Sequence, residues 1–151
     1  MNEERFNEII DFAIKSEQEA VDFYHDLQSM SSFEIQKELL KEYEMMEKGH
    51  INMLQNIKSK GISDATHIPK VENLSISDYL VDVEPQPNME YQDLIIIAMK
   101  REERSLKLYQ TLADKSETDE VKNIFSRLAA EEAIHKNHFE KIYDDEILKH
   151  N

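Results

Sequence analysis

The sequence predicts an all-α protein, a four-helix bundle of two helical hairpins joined by a long crossover linker. Three observations support this fold class. The chain has only 2 glycines and 3 prolines in 151 residues, too few for the many turns of a sheet. Apolar residues recur in alternating steps of three and four, as in packed helices. All three prolines fall in one segment that separates two halves of similar pattern.

Four helices follow from these patterns and from the start and stop signals around them. The predicted helices cover residues 3–29, 32–58, 89–115 and 119–148. Asn2 is a candidate N-cap of the first helix. The helices pair as hairpins over about 3–58 and 89–148, and we expect a single domain over 1–151.

A linker over residues 59–88 joins the two hairpins and contains all three prolines. It is too long for a tight turn between neighbouring helices. A connection of this length can run the full length of a bundle, so that the second hairpin packs against the first. Within the linker, residues 76–83 are predicted to form one short helix.

The sequence also repeats itself with an offset of 85 residues. The matching residues include Glu17 with Glu102, Tyr24 with Tyr109, Glu47 with Glu132, and His50 with His135. Two hairpins of one design therefore lie in tandem. A pseudo-two-fold pairing of these hairpins produces the predicted bundle.

On each helix the apolar residues line up as one stripe along the buried face. Six ionisable residues occupy positions in these stripes, where a helix normally buries Leu or Ile. They are Glu17, Glu47, His50, Glu102, Glu132 and His135. Every helix contributes a Glu, and the second and fourth helices add a His three residues later on the same face. The two Glu residues of each hairpin are equally far from its turn. Antiparallel helices therefore place all six side chains in one central layer.

This layer predicts a metal centre. Four buried carboxylates cannot all ionise without cations, and two divalent ions carry the charge that balances them. Glu and His ligands without Cys suit iron or manganese, and zinc accepts the same ligands. The alternative is a metal-free polar layer, since a single Glu or His in a stripe is usually half-exposed or hydrogen-bonded. Six such residues at one depth favour the metal centre.

Further residues flank the predicted centre. Tyr24 and Tyr109 each follow a stripe Glu by two helical turns, so each either hydrogen-bonds a carboxylate of another helix or is an ordinary core aromatic. Ala20 and Ser105 are small residues at matching positions, which either leave room for an external ligand or allow close helix packing. Gly49 weakens a helix interior and permits a close approach or a local bulge.

Charge and cysteine content exclude several functions. The net charge of -14 repels phosphate groups, so nucleic acid and anionic membranes are poor partners, although an acidic surface also simply keeps proteins soluble. The absence of Cys excludes disulfides, Cys-ligated zinc, rubredoxin-type iron and thiol nucleophiles from this chain. The polar N-terminus is not a signal peptide, and no apolar run approaches the ~20 residues of a membrane span. We expect a cytoplasmic protein.

The ligand pattern resembles that of the rubrerythrin-type branch of the ferritin-like superfamily, on the motifs Glu17-x6-Tyr24, Glu47-x-x-His50, Glu102-x6-Tyr109 and Glu132-x-x-His135. The resemblance covers the whole chain and implies a ferritin-like fold with two iron ions. By this resemblance Glu17 and Glu102 are terminal ligands. Glu47 and Glu132 bridge the irons, and His50 and His135 each bind one. The resemblance also implies reduction of hydrogen peroxide or oxygen with oxidation of ferrous iron.

Two features depart from the rubrerythrin pattern. Rubrerythrins usually end in a Cys-rich rubredoxin module that delivers electrons, whereas this chain has no Cys. They also carry an additional Glu three residues after the third-helix ligand, where this chain has Ser105. That Glu takes part in a redox-linked change of iron coordination, so its absence argues against efficient peroxidase turnover. The remaining four Glu and two His are closer to the symmetric site of bacterioferritin.

The leading hypothesis is therefore a di-iron oxidoreductase that reacts with peroxide or oxygen and receives electrons from a separate donor protein. One alternative is an iron-binding or ferroxidase protein without sustained peroxidase turnover. Another is a non-enzymatic bundle in which the metal staples the helices or acts as a sensor. Beyond the metal ligands, no catalytic residue is predicted. We expect a homodimer, with or without exchange of hairpins across the linker.

Overall fold

The computed structural model describes residues 2–30, 34–60, 79, 89–116 and 118–147. These residues form four helices, α1 Asn2–Gln28, α2 Glu34–Lys60, α3 Tyr91–Asp114 and α4 Asp119–Ile142, and a π-helical turn Tyr143–Ile147. No strand occurs in this part of the chain, and the predicted all-α four-helix fold is confirmed. None of the helices within these ranges is long and apolar enough to cross a membrane.

The ends of the first three helices lie within two residues of the predicted ends, but two details differ. Asn2 belongs to α1 and is therefore not its N-cap. The fourth helix was predicted to continue to residue 148, whereas its regular α-helical part ends at Ile142 and a π turn follows. The apolar stripe of α4 also stops at Ile142, because the next stripe position is Glu146. Tyr143, the first residue of the turn, still packs against the apolar core.

Most of the crossover between the hairpins, including all but Tyr79 of the predicted short helix over 76–83, lies outside the described residues. Tyr79 packs against the core. Its hydroxyl donates a hydrogen bond of 3.1 Å to Oγ1 of Thr111. The linker thus contacts the second half of α3.

The helices pack as two hairpins, α1 against α2 and α3 against α4, with further contacts between α1 and α3. Tyr24 in the second half of α1 contacts Glu102 in the middle of α3, and Tyr109 contacts Glu17 in the opposite order. The opposite order shows that α1 and α3 run antiparallel. The two hairpins face one another as the repeat predicts.

Two apolar clusters fill the bundle, and the six ionisable stripe residues lie between them. One cluster is built around Phe6, Ile10, Leu54, Leu112, Phe125 and Leu128. The other is built around Tyr24, Leu27, Leu40, Ile95, Phe139 and Ile142. None of the six ionisable residues exposes more than 2% of its surface. They therefore form a polar layer within an otherwise apolar interior.

Gly49 does not have the role expected from its position beside that layer. It lies on the exposed face of α2, which continues through it without interruption. A Cβ atom at this position would meet nothing within 4 Å. The expectation of a close approach or a local bulge is therefore wrong, because the side of the helix that carries Gly49 faces away from the packed interior.

Candidate metal centre

The six ionisable stripe residues form two overlapping groups at the centre of the bundle. In each group, one ligand atom per residue lies within 4.8 Å of the corresponding atoms of the others. The first group consists of Glu17, Glu47, His50 and Glu132, and the second of Glu47, Glu102, Glu132 and His135. Glu47 and Glu132 belong to both groups. All six predicted side chains are thus brought together, three from each hairpin.

Both imidazoles turn Nδ1 toward the carboxylates. Nδ1 of His50 lies 2.9 Å from Oε1 of Glu132 and 3.4 Å from Oε2 of Glu17. Nδ1 of His135 lies 2.9 Å from Oε1 of Glu47. Each histidine therefore points one nitrogen into the group that contains it and the other nitrogen away from it.

The unsatisfied polar atoms of the cluster fit a metal centre. Seven buried atoms have no hydrogen-bond partner, namely Oε2 of Glu17, both carboxylate oxygens of Glu47, Nδ1 of His50, Oε2 of Glu102, Oε1 of Glu132 and Nδ1 of His135. Some of these seven atoms lie close to one another, but the angles between them do not allow hydrogen bonds. Burying one polar atom without a hydrogen bond costs about 1–3 kcal/mol. Cations between these oxygen and nitrogen atoms would satisfy them, and this donor set suits iron, manganese or zinc.

The two predicted tyrosines each reach a carboxylate of the other hairpin. The hydroxyl of Tyr109 donates a hydrogen bond of 2.7 Å to Oε1 of Glu17. The hydroxyl of Tyr24 donates to Oε1 of Glu102. Glu17 and Glu102 are the carboxylates that belong to one group alone. Each tyrosine therefore orients a carboxylate that belongs to only one of the two groups.

The charges of the cluster shift its titration strongly. Burial disfavours a charged His135, but the carboxylates of Glu102 and Glu47 outweigh burial and raise its pKa to about 9. The pKa of His50 is also raised, because Glu47 and Glu131 together outweigh the effect of burial. Burial, followed by the nearby Glu102 and Glu47, raises the pKa of Glu132 well above its usual range. Without cations, protons neutralise part of this cluster, and a binding metal ion must displace them.

One residue of the site, Glu131, was missed by the sequence analysis. Its carboxylate contacts Nε2 of His50 on the side away from the cluster. Nε of Arg127 donates a hydrogen bond of 3.4 Å to its other oxygen. Repeat analysis could not find Glu131, because Met46 occupies the matching position in the first hairpin. The available signal was an acidic residue directly before a stripe Glu.

A cleft of about 240 Å³ between α1 and α3 reaches the cluster at Glu102. Ala20 and Ser105, the small residues at matching positions of the repeat, both line this cleft and are half-buried. Tyr79 from the linker forms part of its wall. Since Glu102 belongs to the second group alone, the cleft connects that group with the outside.

The rubrerythrin family model matches residues 93–151. This range contains most of the second hairpin, with Glu102, Tyr109, Glu132 and His135. This match confirms the resemblance over these residues, and the helical bundle agrees with a ferritin-like fold. No curated protein and no solved structure matched the chain.

Proposed function

We propose that this rubrerythrin-like chain is a di-iron oxidoreductase that reduces hydrogen peroxide or oxygen while ferrous iron is oxidised. The observation that carries the proposal is the buried cluster of four carboxylates and two imidazoles, arranged as two groups that share Glu47 and Glu132. Two divalent ions would balance the four carboxylates. Manganese and zinc accept the same donor atoms, but the family match over residues 93–151 favours iron.

The two groups support a division of the ligands between two metal positions. Glu17 and His50 would hold one ion, Glu102 and His135 would hold the other, and Glu47 and Glu132 would bridge both. Bound ferrous iron would supply the two electrons that the side chains cannot give, and two electrons with two protons reduce one peroxide to two waters.

The chain itself orients the ligands and admits the oxidant. The hydroxyl of Tyr24 holds Glu102 at the inner end of the cleft, and the small side chains of Ala20 and Ser105 leave the cleft wide enough for peroxide or oxygen. The two apolar clusters close the layer from above and below and keep bulk water out. This access argues against a purely structural metal, whose site is expected to be closed.

Ser105 favours a second function, a ferroxidase without sustained peroxidase turnover. It lies in the cleft one helical turn from Glu102, at the position where the rubrerythrin pattern has a Glu. A serine hydroxyl cannot provide the negative charge that stabilises ferric iron, nor the ligand exchange that accompanies reduction. These 151 residues contain no Cys for an electron-transfer cluster, and we propose that a donor outside them supplies the electrons.

Anaerobic loading with ferrous iron followed by rapid mixing with peroxide tests the proposal and separates the two functions. We expect one fast rise of ferric absorbance with two iron ions oxidised per peroxide consumed. Continued peroxide consumption when a reductase and an electron donor protein are added would identify a peroxidase, whereas a single round would identify a ferroxidase. A ferrous centre that peroxide and oxygen leave unchanged would overturn the proposed function.

A further inference from the structure

The repeat makes the six ligand-type residues nearly symmetric, but the residues behind the two histidines break this symmetry. Nε2 of His50 contacts the carboxylate of Glu131 on α4. Nε2 of His135 contacts Sδ of Met46 on α2. Met46 and Glu131 occupy the same position of the 85-residue repeat. The same place in the two hairpins thus carries a thioether in one and a carboxylate in the other.

The carboxylate determines how His50 faces the cluster. A carboxylate only accepts hydrogen bonds, so Nε2 of His50 carries the hydrogen and Nδ1 is directed at Glu132, 2.9 Å away. Such a bond fixes the orientation of the ring and makes the ligating nitrogen a stronger donor. Glu131 exposes 22% of its side chain, so its carboxylate reaches both solvent and the buried ring.

His135 lacks this support. Its Nε2 lies 3.5 Å from Sδ of Met46, and a thioether sulfur is only a weak acceptor. The ring is held by packing instead, with the ring of Tyr43 centred 4.0 Å away. His135 therefore matches His50 in position, but its Nε2 faces an uncharged sulfur instead of a carboxylate.

A second difference between the two groups is their contact with the cleft. The cleft between α1 and α3 is lined by Glu102 of the second group. Glu17, its counterpart in the first group, does not line that cleft. An ion in the second group could therefore enter and leave through the cleft at Glu102.

We infer that the two metal positions are inequivalent, so that the position of the first group binds a divalent ion more tightly and fills first, and the position of the second group exchanges its ion through the cleft. Glu131 is the positioning residue that creates the difference, and it acts through His50. This inference rests on the proposed metal centre.

Titration of metal-free protein with Co²⁺, followed by calorimetry and visible absorption, tests the inference without iron or peroxide. We expect two binding steps of unequal affinity. Glu131→Met should weaken the tighter step about tenfold or more, as loss of a carboxylate behind a ligand histidine typically does. Met46→Glu should strengthen the weaker step. Glu140→Met is the matched control, because Glu140 lies on the same helix and also pairs with a basic residue one turn earlier, Lys136 at 2.9 Å.

Two background variants assign the steps to the positions. Glu102→Ala should leave the position of the first group, and there Glu131→Met should weaken Co²⁺ binding. Glu17→Ala should leave the position of the second group, and there Glu131→Met should have no effect. Two equal steps in the wild type, or an equal effect of Glu131→Met in both backgrounds, would overturn the inference and leave the metal centre intact. Complete absence of Co²⁺ binding would overturn both.

Discussion

The carboxylates of the central layer differ in whether they belong to one ligand group or to both. Glu47 lies within ligand distance of members of both groups, whereas Glu17 belongs to the first group alone and receives the hydroxyl of Tyr109. Loss of Glu17 would therefore leave the other group complete. Loss of Glu47 removes an oxygen donor from both groups and leaves two histidines with fewer carboxylates to balance them.

We therefore expect Glu47→Ala and Glu132→Ala to lose more metal than Glu17→Ala. Metal-free variants titrated anaerobically with ferrous iron should bind less than one ion in the first two cases and about one ion in the third. Glu38→Ala, an exposed Glu on α2, is the control and should bind as the wild type does. Equal losses in Glu17→Ala and Glu47→Ala would refute the shared role of Glu47.

Ser105 is the second residue with a separable effect. Ser105→Glu would place a carboxylate in the cleft beside Glu102, where it can serve the second metal position. We expect this variant to alter iron coordination and to raise steady peroxide turnover several-fold in the presence of a reductase system. Ser105→Gln, which has the same length without the charge, should not. If the wild type with a small-molecule reductant already matches Ser105→Glu, the serine does not limit turnover.

At the scale of the helices, tertiary packing determines the stability of the buried face, whereas intrinsic helix propensity determines that of the exposed face. The stripe of α2 carries buried Leu40, Glu47, His50 and Leu54, so its geometry is determined by tertiary contacts. The exposed face carries Gly49, where no such contact exists. The intrinsic preference of the residue for helix therefore decides its contribution to stability there.

Gly49→Ala should accordingly stabilise the protein by about 1 kcal/mol, since alanine is the better helix former and its Cβ meets no neighbour. Urea denaturation of metal-free protein would measure the change, and metal content would serve as the control for an undisturbed site. A lower free energy of unfolding in the variant would show that the face around Gly49 is packed after all.

At the scale of the whole molecule, the polar layer links stability to pH. In protein prepared without metal, the charged form of His135 is favoured by Glu102 and Glu47, and its pKa of about 9 lies above the ordinary 6.5. Because the folded-state pKa is the higher one, this stabilisation is fully present below about pH 6.5 and disappears as pH rises through 9. A bound metal ion would replace the proton and remove the dependence.

We therefore expect the Tm of metal-free protein to fall between about pH 7 and pH 10, and to fall more steeply than the Tm of protein loaded with divalent metal. Thermal unfolding followed by circular dichroism at several pH values makes the comparison. The loaded protein controls for the general repulsion that increases with negative charge. Parallel pH profiles for the two preparations would contradict the link through His135.

Much of the architecture could be predicted from the sequence alone, because it depends on local geometry. The direction of a side chain on a helix and the rise per residue are the same wherever the helix lies. The stripes therefore indicated four helices, and equal distances from the hairpin turns indicated that Glu17, Glu47, Glu102 and Glu132 lie at one depth. The end of α4 was placed less well, because a change from α to π geometry is not encoded by periodicity.

Only the tertiary structure decided which groups meet across the two hairpins. The sequence could not distinguish a carboxylate-bonding tyrosine from a core aromatic, whereas the packing of α1 on α3 brings Tyr24 to Glu102 and Tyr109 to Glu17. It could not pair His50 with Glu131 or His135 with Met46, because no local rule relates α2 to α4. The cleft at Glu102 is a property of the same helix packing. Contacts between residues far apart in sequence depend on how the helices approach and rotate, and this is determined by the assembled core as a whole.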